Sequence, residues 1–189
     1  MTEPRQAAIL VAVGYQVRFA DPEALLELRS EVFRLYRSCF AAPPYSETEE
    51  EIARFTDGRF DRGMATPGAH GFVAWHGETV AGLVYGWPAR GEVPGDRGYA
   101  LVHSCVAPHL HHLLRPPAFE VAELAVDPAH RRRGLGRRLL DRVVEGHPTA
   151  WLGTHPDAPA RRLYESAGWT VIGQCEDGRQ RTLILSLSR

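Results

Sequence analysis

The chain has 189 residues, enough for one domain with a substantial core, and its apolar and charged fractions are ordinary for a globular protein. Its 22 basic and 23 acidic side chains leave a formal net charge of -1, which argues against a whole-protein nucleic-acid binder. No apolar run approaches the roughly 18 residues needed to span a bilayer, and Cys39, Cys105 and Cys175 are odd in number, far apart and without CxxC spacing, a pattern that suits reduced thiols in the cytoplasm.

Taken in chain order, "AAILVAVGY" has the apolar look of a signal core. It lacks a positive leader and a small-residue cleavage site, so it reads as part of the fold. Residues 9–19 predict a strand, with "YQVRF" alternating. Residues 20–40 predict one helix, with Asp21 as N-cap, Pro22 in the first turn and Leu25, Leu28, Val32, Leu35 and Tyr36 on one stripe. "AAPPYS" breaks it, and a second helix is expected from Glu47 to just before Gly63. "HGFVAWHGETVAGLVYGW" predicts a hairpin with a tight His-Gly turn. Residues 88–117, rich in proline, glycine and histidine, read as an irregular loop, either functional or mobile. "AFEVAELAV" is a strand and residues 134–145 a helix, with Leu135, Leu139, Leu140, Val143 and Val144 on one face. "TAWLGT" is a strand, "APARRLYESAG" a helix stopped at Gly168, and two strands close the chain. The order predicts a single α/β domain over residues 1–189, a mixed sheet flanked by helices.

The stretch "DPAHRRRGLGRRLL" places arginines and two glycines between a strand and a helix. The first N–H groups of a helix have no internal acceptor, and the helix dipole adds positive potential there. Glycines remove side chains from an approaching ligand's path. The turn is therefore either an anion cradle or a solvated basic corner. It is not a P-loop, because no Lys-Ser or Lys-Thr follows the glycines. It is not a dinucleotide fingerprint, because the GxGxxG spacing is absent.

"LAVDPAHRRRGLG" resembles the acyl-CoA signature [RQ]xxGx[GA] of the GNAT N-acetyltransferase family. Downstream, "ARRLYESAGW" resembles the family's helix AxxLYxxxGF, with Trp169 as the aromatic. The two motifs stand in the family's order, and the element order matches its mostly antiparallel sheet. The resemblance implies an acetyl-CoA-dependent N-acetyltransferase that moves the acetyl group to a primary amine by direct attack in a ternary complex. The alternative is a non-catalytic acyl-CoA sensor or scaffold. It also implies that Leu124, Ala125 and Val126 bind the pantetheine arm through their backbone. Amides and side chains of Arg131, Arg132, Arg133, Gly134, Leu135, Gly136 and Arg137 would surround the pyrophosphate. Arg137, like Arg138, reads equally well as decoration of the outer helix face. Where the family often has an asparagine near the start of the later helix, this chain has Asp157, which can cap but cannot donate while ionised.

Amide formation requires a base for the amine, polarisation of the thioester carbonyl and a proton for the leaving thiolate. Glu120 and Glu123 are both base candidates. Regular alternation sets them on opposite faces, and a bulge, common on this strand in the family, would remove that distinction. Whichever faces away is expected to pair with an arginine. Tyr164 matches the family's general acid, and it also fits an apolar stripe with Ala160, Leu163 and Ala167. His103, His109, His111 and His112 lack the cysteines or clustered acids of a metal site. They read instead as lining for the acceptor, with Glu92 and Asp96 attracting a cationic amine and Tyr45, Trp75, Tyr85 and Trp87 as walls. The expected partner is a small-molecule or peptide amine, and the expected state a monomer or homodimer, with no nucleic acid or membrane involved.

Overall fold

A computed structural model describes residues 14–91, 97–178 and 180–188. Glu92, Asp96 and most of the "AAILVAVGY" stretch lie outside the described residues. Seven strands form one sheet: β1 (Tyr15–Ala20), β2 (His70–His76), β3 (Thr79–Pro88), β4 (Phe119–Val126), β5 (Thr149–Thr154), β6 (Thr170–Asp177) and β7 (Gln180–Ser188). Their spatial order is β1-β2-β3-β4-β5-β7-β6. Every neighbouring pair is antiparallel except β4 and β5, which run parallel. The mixed, mostly antiparallel sheet expected from the sequence is therefore present.

The helix expected over residues 20–40 is two helices, α1 (Pro22–Glu27) and α2 (Arg29–Phe40). Leu28 leaves helical geometry at ψ 15°, so the axis turns there. The turn lets Leu25 join Val32, Leu35 and Tyr36 in one core under the sheet. Asp21 caps α1 as expected, accepting from Ala24 N at 2.9 Å. The second predicted helix is also broken. α3 (Glu49–Arg54) opens on a Thr48–Glu51 capping box, and α4 (Phe60–Met64) follows a kink at Asp57 and Gly58, whose φ is 133°. Gly63 lies inside α4 and does not end it. The segment 88–117, expected to be irregular, carries α5 (Arg97–Cys105) and a 3-10 helix over Pro108–Leu114.

α6 (Leu135–Val143) buries Leu135, Leu139, Leu140 and Val143, with Val144 just beyond its end. That stripe packs on Phe72, Ala74 and Val84 together with Tyr164 of α7 (Ala160–Ser166). The opposite face holds α1 to α4, over Val73, Leu83, Tyr85 and Ala125. Further along that face, Val106 and Leu114 pack with Trp151, Cys175 and Ile184. All three cysteines are free thiols. Among the described residues no helix is long and apolar enough to cross a membrane.

Candidate active site

β4 and β5 pair only at Phe119 with Ala150 and Glu120 with Trp151. Beyond those two registers they diverge, although β4 runs on to Val126 and β5 to Thr154. A cleft of about 550 Å³ opens between them. One edge of β4 therefore faces the cleft without a strand partner, leaving peptide groups available to a bound chain.

The floor is shaped by a bulge. Tyr85 pairs with Glu123 and Gly86 with Val121, so Ala122 is an extra residue on β4. Phe119, Val121, Leu124 and Val126 accordingly face the α6 side. Glu120 and Glu123, three apart, both reach the cleft.

At one end, the chain leaves β4 through Asp127. Its carboxylate accepts from Ala129 N at 3.0 Å and pairs with Arg34 at 2.6 Å. These contacts hold its pKa below the usual carboxylate range, against the cost of partial burial. The turn then reaches Gly134, which is left-handed at φ 76° and starts α6 without a side-chain cap. Only glycine adopts that geometry without cost. The first intrahelical bond runs from Arg138 N to Gly134 O at 3.1 Å, so the amides of Leu135, Gly136 and Arg137 precede it. Gly136 serves packing: a Cβ there would sit 3.1 Å from Leu163 Cδ2.

The arginines of this turn have different occupations. Arg131 folds back, donating Nε to Val126 O at 3.0 Å and Nη2 to Cys39 Sγ at 3.4 Å. Arg132 lines the cleft in a left-handed conformation, φ 62°. Arg133 lies 6.0 Å over the Tyr15 ring, and does not line the cleft. Arg137 lines it while pairing with Asp141 at 2.8 Å. Ala125 turns into the opposite core. Asp157 also lies outside the cleft wall: its carboxylate pairs with Arg181 at 2.8 Å, and Pro159 occupies the N-cap of α7.

At the other end stand the two carboxylates. Glu120 Oε2 accepts from Trp87 Nε1 at 2.8 Å and from the Tyr99 hydroxyl at 2.6 Å. Glu123 is largely buried, and burial pushes its pKa up to about 7 against the counter-effect of Arg59. Arg59 Nη2 lies 3.1 Å from Glu123 Oε1 and donates to the Tyr36 hydroxyl at 2.8 Å, which itself donates to Glu47 at 2.8 Å. Burial likewise raises the pKa of Glu47 above the ordinary carboxylate value. Tyr164 lines the cleft between these ends, and burial drives its phenol well above 10. Among the described residues its hydroxyl has no hydrogen-bond partner.

Some expectations fail here. His103, His109, His111 and His112 do not line the cleft. His111 Nε2 sits 3.0 Å from His103 O and 2.8 Å from Val106 O, closing carbonyls at the end of α5, and His112 Nδ1 sits 2.9 Å from His109 O. Of the four aromatic residues expected as walls, only Tyr45 lines the cleft. Tyr85 is core, Trp75 packs against that same core, and Trp87 instead holds Glu120. Conversely, Tyr36, Glu47 and Arg59 belong to the cleft wall. No local spacing announces them, since 23 residues separate Tyr36 from Arg59 and 64 separate Arg59 from Glu123.

A splayed parallel strand pair, an uncapped glycine-led helix start and buried carboxylates across one cleft define an acyl-CoA type of transferase site. Residues 29–169 match the model of the acetyltransferase (GNAT) family. The chain belongs to this family, whose activity is acetyl-CoA-dependent transfer of an acetyl group to an amine. A mycothiol acetyltransferase of Clavibacter sepedonicus is 53% identical over 49 residues, covering 24% of this chain and 16% of that one. The ribosomal protein bS18-alanine N-acetyltransferase of Escherichia coli K12 is 36% identical over 76 residues, 34% of this chain and 51% of the relative. The chain thus spans about a sixth to about a half of these relatives. The PaiA N-acetyltransferase of Thermoplasma acidophilum, solved with coenzyme A, shares the fold at TM-score 0.62 and 13% identity, over 93% of this chain and 99% of that one.

Proposed function

We propose that this chain is a single catalytic domain that transfers the acetyl group of acetyl-CoA to a primary amine within a ternary complex. The observation that carries the reading is one cleft that holds both an uncapped helix start and Glu123, a carboxyl whose pKa burial raises to about 7. The amides from Arg132 to Arg137 bind the pyrophosphate, and Arg131 stiffens the turn from behind. The free edge of β4 at Leu124 to Val126 aligns the pantetheine arm and offers N–H groups to the thioester oxygen as it gains charge.

An alkyl amine whose ammonium has a pKa of about 10 arrives protonated. Glu123, which burial makes a stronger base than an ordinary carboxylate, takes that proton. The amine lone pair then attacks the carbonyl carbon and the C–S bond breaks. Tyr164, protonated at every working pH, gives its hydroxyl proton to the departing thiolate, and the second proton of the attacking nitrogen, shed as the amide forms, returns to the tyrosinate. Glu120, held by Trp87 and Tyr99, shapes the acceptor side. Three free thiols suit a reducing compartment, and we place the protein in the cytoplasm. The acceptor is a small-molecule or peptide amine.

Release of CoA, followed with a thiol reagent, tests the reading on four acceptors: an alanine-initiated peptide, an aminoglycoside, an amino sugar and a polyamine. Turnover with one of them, lost in Glu123→Gln, is expected. Tight acetyl-CoA binding by calorimetry with no CoA release from any of the four would leave a sensor or scaffold.

A further inference from the structure

Arg59 reaches the cleft because the chain kinks at Asp57 and Gly58 just before it. The guanidinium is then fixed on several sides. It lies 5.1 Å over the Phe55 ring and 5.5 Å over Tyr36, two rings that stack at 3.7 Å. Its Nη2 bridges the Tyr36 hydroxyl at 2.8 Å and Glu123 Oε1 at 3.1 Å. Tyr36 is anchored in turn by both oxygens of Glu47, at 2.8 and 3.0 Å. About half of the Arg59 side chain is exposed, yet the two rings and the two hydrogen bonds hold its guanidinium beside the buried Glu123 carboxyl.

The groups facing Glu123 come from several elements. They are Tyr36 on α2, Tyr45 and Glu47 between α2 and α3, Arg59 after the kink, Tyr85 on β3 and Tyr164 on α7. Glu120 and His155 line the same cleft. Burial keeps the four tyrosines neutral. Of these neighbours, Arg59 and Glu47 exert the leading charge effects on Glu123, with opposite signs. A buried carboxyl without a cation stays neutral and cannot accept a proton. One gripped by a full, unopposed ion pair becomes too weak a base.

We infer that Arg59 is a positioning residue for acetyl transfer: it holds the Glu123 carboxylate ionised and aimed into the cleft, while Glu47 opposes it. This rests on the reading of Glu123 as the base. The balance of the two charges then sets the lower pH limit of turnover. A purely structural ion pair would support the fold and leave that limit untouched.

The test is a carbon-13 NMR titration of the Glu123 carboxyl, paired with the pH profile of CoA release on the fastest of the four acceptors above. In Arg59→Met the carboxyl should titrate at least about one pH unit higher, and the rising limb of kcat/KM should move with it. Arg59→Lys, which keeps the charge, should restore the limb to within about half a pH unit. Glu47→Gln should move both readouts the opposite way, which general damage to the fold cannot do. An unmoved Glu123 titration in Arg59→Met and Glu47→Gln overturns the inference. So does a rate in Arg59→Met reduced by one constant factor at every pH. Glu123→Gln separates the two ideas: wild-type turnover there defeats the base reading, whatever the carboxyl titrations show.

Discussion

Glu120 and Glu123 stand three residues apart on β4, yet both face one cleft, because the strand bulges at Ala122. Their surroundings separate them. Glu120 accepts from Trp87 and Tyr99, and Glu123 from the guanidinium of Arg59. The base must be ionised to act, so kcat/KM should rise with pH through about 7 and level off above it. Glu123→Gln should lower kcat on the order of 100-fold or more at pH 8 and leave acetyl-CoA affinity unchanged. Glu120→Gln should act mainly on the KM for the amine. Steady-state kinetics across pH 5 to 10 check both, and equal losses in the two variants would reject this division.

The same buried carboxyl costs stability. Its folded pKa, about 7, lies above the ordinary 4.5, so the native state holds this proton more tightly than the unfolded chain. Stability therefore falls as pH rises from about 4.5 through 7, and the penalty is complete above that window. Glu123→Gln removes the ionisation. It should stabilise the fold at pH 8 by about 2–3 kcal/mol and have no such effect at pH 4. For a chain of this size that is a Tm rise of roughly 4–12 °C, measurable by calorimetry at the two pH values.

Much of the frame was legible because it rests on local pattern. The α6 stripe, the hairpin turn between His76 and Thr79 and the Asp21 cap are all short-range features, and all are present. The family motifs pointed to the right class because they lie within one continuous stretch. The cleft wall of Tyr36, Glu47 and Arg59 was not legible for the complementary reason. Tyr36 sits on an apolar stripe, Glu47 precedes a helix, and Arg59 follows a glycine kink; only tertiary packing makes one network of them. The histidines misled because histidine reads as a proton carrier in sequence, while His111 here spends its ring nitrogen on backbone carbonyls. The break at Leu28 was invisible too, since leucine is an ordinary helix interior residue and core packing decided the turn.

The helix start can be tested as an anion cradle. A Cβ on Gly134 would meet nothing within 4 Å, yet the backbone there has φ 76°. Gly134→Ala should therefore cost about 1–2 kcal/mol of stability and leave acetyl-CoA affinity within about threefold. Gly134→Glu adds a carboxylate beside the open amides of α6. It should weaken acetyl-CoA binding at least about tenfold, since an anion at this end competes for the same positive potential. Titration calorimetry on both variants checks this. Equal affinity in Gly134→Glu and the wild type would remove pyrophosphate from this turn.

Tyr164 offers the cleanest separation of the two proton transfers. Its ring is part of the core beside Trp169, with centroids 6.0 Å apart, so Tyr164→Phe keeps the packing and deletes only the hydroxyl. That hydroxyl has no partner to lose among the described residues, so Tm should hold within about 2 °C. If it protonates the leaving thiolate, kcat should fall on the order of 100-fold with acetyl-CoA affinity unchanged. Because burial drives the phenol well above 10, it should impose no falling limb below pH 10 in the wild type. The rising limb near 7 should survive in Tyr164→Phe, since it belongs to Glu123. A limb that vanished with the hydroxyl would mean that the two residues share one proton. A loss of affinity at constant kcat would make Tyr164 a wall of the cleft rather than its acid.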